Sequence, residues 1–131
     1  MEKTCAYLTA AEIIEINKRQ VNKFGGKFYL RSPGSLRHML EEVRGFLFGE
    51  ELYPGVFNKA AFLMHRLVQG HFFFDGNKRT GLEVCRVFLY LNSYFLRLNP
   101  EDEVVKFVKS IANKEVDQSE IEEWLKDRCT L

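Results

Sequence analysis

The chain has 131 residues, 46% of them hydrophobic with 12 Phe, and its 19 basic and 18 acidic side chains leave a net charge of +1. This length fits one domain, residues 1–131, with a core of its own, and the near-neutral balance argues against a nucleic-acid partner, which requires a basic excess or a basic face. No apolar run approaches the length of a membrane span, none follows Met1-Glu2-Lys3 as a leader would, and the scattered Cys5, Cys85 and Cys129 form no pair, so no membrane partner and a reduced, cytoplasmic setting are expected.

Thr9-x-x-Glu12 reads as a capping box that opens an amphipathic helix over about residues 9–23, with Ile13, Ile14, Ile16 and Val21 on its apolar side and Gly25-Gly26 as its stop. Lys27-Phe28-Tyr29-Leu30 is extended in character and ends at a Pro33-Gly34 turn, which suggests a loop or small hairpin flap and supplies the one strand candidate. Ser35 is the expected cap of the next helix, which carries Leu36, Met39, Leu40, Val43, Phe46 and Leu47. A third helix over about residues 58–69 turns Ala61, Phe62, Met64, Leu67 and Val68 inward.

Residues 77–95 are apolar nearly all round (Leu82, Val84, Cys85, Val87, Phe88, Leu89, Leu91, Phe95), as in a helix at the centre of a bundle. Cys85 falls within this pattern and reads as core. Asn99-Pro100 supplies an N-cap with Pro at N1 for a helix with Val104, Val105, Phe107, Val108 and Ile111. Asp117 or Ser119 starts a last short helix with Ile121, Trp124 and Leu125. The expected fold is all-α: a single-domain helical bundle with a short flap and a motif loop leading into the central helix.

That loop is the run from Gly70 to Gly81, GHFFFDGNKRTG. It gathers a base candidate, a carboxylate, a glycine turn and two cations immediately before the apolar helix. Asp75-Gly76-Asn77 is turn chemistry, and Asn77 is the expected N-cap. Lys78 and Arg79 then fall in the first helical turn, beside free N–H groups and the positive end of the helix dipole, where cations are disfavoured. A bound phosphate removes that conflict. His71 can take a proton from an attacking hydroxyl. Asp75 is a hard oxygen ligand suited to Mg²⁺. Gly76 lets backbone approach a phosphate, Lys78 and Arg79 can neutralise charge on transferred phosphoryl oxygens, and Phe73 anchors the loop. The spacing excludes a Walker A loop, and three scattered His without H-E-x-x-H or a Cys pair exclude a zinc hydrolase. His38 and His65 sit inside helical patterns, where packing or surface exposure accounts for them.

The pattern His71-x-Phe73-x-Asp75-Gly76-Asn77-Lys78-Arg79-Thr80 resembles the signature of the Fic/Doc (Fido) family. The length, the Phe24-Gly25-Gly26 segment and the Arg31-x-Pro33-Gly34 turn are similar to its death-on-curing branch. The resemblance implies His71 as base, Asp75 as metal ligand, Gly76, Asn77 and Lys78 as phosphate-binding positions, Arg79 as phosphate clamp and Phe73 as structural support. It also implies Mg²⁺ as cofactor, ATP or another nucleoside triphosphate as co-substrate, a protein Ser/Thr hydroxyl as acceptor, and a small antitoxin with a helical tail as partner. AMP-transferring members read H-P-F-x-[D/E]-G-N-G-R-x-x-R. This chain has Phe72, Lys78 and Leu82 at the three departures, which favours γ-phosphate transfer over AMP transfer. No full match to the family's inhibitory [ST]-x-x-x-E-[GN] element is present, since Trp124 follows Ser119-x-x-x-Glu123. A silent helical binding module is the reading from a different class, and the complete set His71, Asp75, Asn77 and Arg79 weighs against it.

Overall fold

The computed structural model describes residues 4–130. Six helices, α1 (Ala10–Phe24), α2 (Pro33–Val43), α3 (Val56–Gln69), α4 (Asn77–Leu91), α5 (Glu101–Ala112) and α6 (Gln118–Arg128), form a mostly helical bundle. Two small antiparallel hairpins decorate it: β1 (Phe46–Leu47) with β2 (Glu50–Glu51), and β3 (Phe95–Leu96) with β4 (Cys129–Thr130). None of the described helices is long and apolar enough to cross a membrane.

Both ends of α1 follow from local chemistry. The Thr9 hydroxyl accepts from Glu12 N, the Glu12 carboxylate accepts from Thr9 N, and Gly25 closes the helix with φ 91. The last helix has the same start: Asp117 caps it, with Glu120 completing the box, and Ser119 lies inside it.

Several boundaries differ from the sequence expectation. Pro33 occupies the first turn of α2 instead of a loop turn, with Ser32 rather than Ser35 at the N-cap, because the ring's fixed φ suits a helix start. That helix ends at Val43, so Phe46 and Leu47 lie exposed on β1 and not on an apolar helix face. Pro100 itself is the N-cap of α5, one residue later than expected. The long apolar pattern stops at Leu91, because the Asn92 side chain exchanges two hydrogen bonds with the Ala6 backbone and also donates to Phe88 O. The chain then passes through Ser93 (φ 76) into β3.

The core centres on the α3–α4 pair. The more enclosed member is α3, with Ala60, Ala61, Phe62, Leu63, Met64, Leu67 and Val68 all buried. On α4 the buried positions are Thr80, Gly81, Val84, Cys85, Phe88 and Leu89, spaced as one face. Leu82 and Val87 are half-buried and Leu91 is exposed, so α4 is amphipathic and not enveloped as its composition suggests. Gly81 makes the crossing close: a Cβ there would stand 2.6 Å from Val68 Cγ2 and 3.2 Å from Val68 N. Gly81→Ala should therefore push the pair apart and destabilise the protein by about 1–3 kcal/mol, the usual range for overpacking. Urea unfolding monitored by circular dichroism measures this.

Candidate active site

The motif loop is the connection between α3 and α4. The chain leaves α3 at Gly70 and reverses at His71, whose φ of 50 is uncommon for a residue with a side chain. His71 is exposed, while Phe72 and Phe73 behind it are buried at 4% and 1%. Two buried aromatic rings thus hold the loop to the core and leave the imidazole facing outward.

The flap has a different form from the one expected. It does not fold back on itself as a hairpin. It runs beside the motif loop: Arg31 N donates to Phe72 O at 2.8 Å, Phe74 N donates to Tyr29 O at 2.9 Å, and Leu30 bridges Phe73. The Phe28 and Phe73 rings lie 6.3 Å apart, and the Arg31 guanidinium stands 5.3 Å from the Phe74 ring centroid.

Asn77 is not the N-cap. Gly76 holds that place in the left-handed region, with φ 80, and Asn77 is the first residue of α4. The Asn77 side chain instead closes the loop. Its Oδ1 accepts from Phe73 N at 3.1 Å and its Nδ2 donates to Phe73 O at 2.8 Å. No side chain among the described residues caps α4, and the N–H groups of Asn77, Lys78 and Arg79 at the positive end of the helix have no partner among them. Thr80 N is the first to be bonded, to Gly76 O at 2.8 Å. Lys78 and Arg79 are exposed and have no ion-pair partner among the described residues.

His71, Asp75, Gly76, Asn77 and Lys78 line one depression of about 370 Å³, together with Gln69 and Lys114. Arg79 does not line it. Its guanidinium lies 4.1 Å from the centroid of the Phe24 ring on α1, and it borders an adjoining depression of about 300 Å³ with Leu82, Val105, Val108 and Lys109. Lys78 is common to both, so the two hollows adjoin at it.

Asp75 Oδ2 accepts from Lys27 N at 2.7 Å, which leaves Oδ1 without a partner among the described residues. No group of three or more His, Cys, Asp or Glu that could enclose a metal ion occurs among them. One carboxylate with a free oxygen beside a phosphate-type cradle fits Mg²⁺, which is commonly held through one or two carboxylates and substrate phosphates. A structural zinc ion, which needs a closed shell of side chains, does not fit.

Sequence reasoning missed four contributors. Asn17, fully buried on α1, donates to Asp75 O and to Thr80 Oγ1, both at 2.9 Å. Lys27 acts through its backbone, Gln69 is tied to Ile111 O at 2.9 Å, and Lys114 comes from the end of α5. The polar Asn17 between Ile13 and Val21 on a helix face was the signal available. The others act through the backbone or through distant chain folding. His65 and Cys85 do not line the depression. Burial, with Arg66 next in effect, lowers the His65 pKa, and complete burial pushes the Cys85 thiol far up.

A mostly helical domain of the Fido type, with this H-x-F-x-D-G-N-K-R loop opening its fourth helix, is the class that fold and site define. The Fic/DOC family model matches residues 7–89, and the chain belongs to that family. It is 29% identical over 99 residues to "Toxin Doc" of Mycolicibacterium smegmatis, which covers 75% of this chain and 76% of that protein. It is 26% identical over 95 residues to "Protein kinase doc" of Escherichia phage P1, covering 72% and 75% respectively.

Gly26 (φ 123) tests how the flap reaches the site, because a Cβ there would stand 3.0 Å from Asp75 Cβ and Oδ2. Gly26→Ala should displace the flap and release the Lys27–Asp75 hydrogen bond. Amide exchange at Lys27 should then accelerate by about 3- to 10-fold, the net worth of one such bond, while the core amides of α3 stay unchanged.

Proposed function

We propose that the chain is a Doc-type toxin. It transfers the γ-phosphoryl group of a nucleoside triphosphate, ATP with Mg²⁺, to a Ser/Thr hydroxyl of a protein target in the translation machinery. It works in the cytoplasm and is held in check by a small antitoxin with a helical tail. The observation that carries this reading is the joint lining of one depression by His71, Asp75 and Lys78, with the uncapped amides at the start of α4 beside them. The printed names of the two relatives, a toxin and a protein kinase, support the same reaction class.

In this reading His71 accepts the proton of the target hydroxyl as its oxygen attacks the γ-phosphorus. The bond from that phosphorus to the bridging oxygen breaks, and the nucleoside diphosphate leaves with the electron pair. The α4 amides and Lys78 hold the charge of the transferred group. Arg79, braced on Phe24 beyond Lys78, clamps the phosphates that stay behind. Asp75 would hold Mg²⁺, which would supply neutralisation of phosphate charge.

Three outcomes are expected. His71→Ala should lower transfer by about 10²–10⁴-fold with the fold intact, and near-full turnover would remove the base assignment. Label from γ-labelled ATP should appear on the protein target and label from the α position should not; the reverse result would favour AMP transfer, and no label with either would favour a silent binding module. Expression of the wild-type chain alone should arrest bacterial growth, whereas the Asp75→Ala variant, matched for folded protein, should be harmless. Harmless wild-type expression counts against the toxin.

A further inference from the structure

We propose that Asn17 is a positioning residue: from inside α1 it sets where the Asp75 carboxylate stands relative to the free amides of α4. The consequence for turnover rests on the functional reading above, while the positioning itself does not.

Asn17 is 0% exposed on the inner face of α1, between the buried Ile13 and Val21. A buried amide is unfavourable unless its polar atoms are bonded. Here only the donor end is. Nδ2 gives one hydrogen bond to Asp75 O and one to Thr80 Oγ1, each 2.9 Å long, while Oδ1 has no partner among the described residues. An apolar side chain of the same size would fill this space without the unpaired Oδ1, so packing does not account for an amide at this position. The two donated bonds do.

Those bonds span the point where the loop becomes a helix. Asp75 O is the last carbonyl before the Gly76 reversal, and fixing it fixes the direction in which the Asp75 side chain leaves the backbone. The Thr80 hydroxyl belongs to the first turn of α4, whose residues Asn77 and Lys78 line the depression. A single NH₂ group therefore ties the carboxylate-bearing residue to the amide cradle. Gly76 lies under the bridge: a Cβ on it would stand 3.2 Å from Asn17 Nδ2 and 3.3 Å from Val21 Cγ2. The other end of Asp75 is held by the same part of the chain, because Lys27, just beyond the exit of α1, donates to its Oδ2. The backbone and the carboxylate of Asp75 are both referenced to α1.

The test uses the full chain without nucleotide or metal, followed by turnover. In Asn17→Leu, exchange of the Thr80 amide should accelerate by about 3- to 10-fold relative to the core amides of α3. The value of kcat should fall by roughly 10²-fold, as for a misplacement of about 1 Å, with KM for the protein target unchanged. Thr80→Val, which removes one of the two bonds at equal volume, should show the same pattern at smaller size and decides the matter if Asn17→Leu does not fold. Thr80 exchange that stays in step with the α3 core, or wild-type kcat in a folded variant, would overturn the proposal. If the wild-type chain transfers nothing, the functional reading has failed, and the exchange measurement still decides whether Asn17 governs the start of α4.

Discussion

The close crossing of α3 and α4 at Gly81 is the constraint on which the site depends. Once Gly81 lies against Val68, the chain must leave α3 and enter α4 within a short loop whose two ends are fixed by the core. Each residue of that loop then has little choice. His71 takes up the reversal with a positive φ, Phe72 and Phe73 sink inward, and Gly76 supplies the second positive φ that starts α4. The motif is a short connection between two packed helices, and its fixed ends give it the rigidity that a site requires.

Three independent hydrogen-bond sets then remove what freedom remains. Residues 29–31 pair with residues 72–74 along the outer edge. The Asn77 amide clamps both backbone groups of Phe73 from within the loop. Asn17 holds Asp75 and Thr80 from below. The loop is therefore fastened on three sides through backbone groups, while the His71 imidazole, one oxygen of Asp75 and the first α4 amides have no partner among the described residues. Asparagine is used twice as a fastener: each side chain donates to a backbone carbonyl of the loop.

Much of this was legible in the sequence. The helix count, the capping box at Thr9 and the inward face of α3 follow from apolar spacing and local side-chain chemistry, which act within a few residues. The motif could be read for the same reason. What could not be read depends on contacts between distant parts of the chain. Asn92 ends α4 by bonding to Ala6, a partner invisible to a local pattern. The β3–β4 hairpin joins segments far apart in the sequence. Asn77 resembles a cap in every local respect, and it is displaced because the loop needs its amide more than the helix does. The motif places Arg79 with His71, yet successive positions on a helix face different directions, and the Arg79 guanidinium lies over the Phe24 ring, outside the depression that His71 lines.

The division of labour between Lys78 and Arg79 follows from that geometry. Both sit where the helix dipole disfavours a cation, by about 0.3–1 kcal/mol each when exposed. Neither is neutralised by a carboxylate. Arg79 gains something back from the ring of Phe24, whereas Lys78 has no comparable contact and stands where the two hollows adjoin. Negative charge bound at the start of α4 would relieve the dipole conflict at the two residues together.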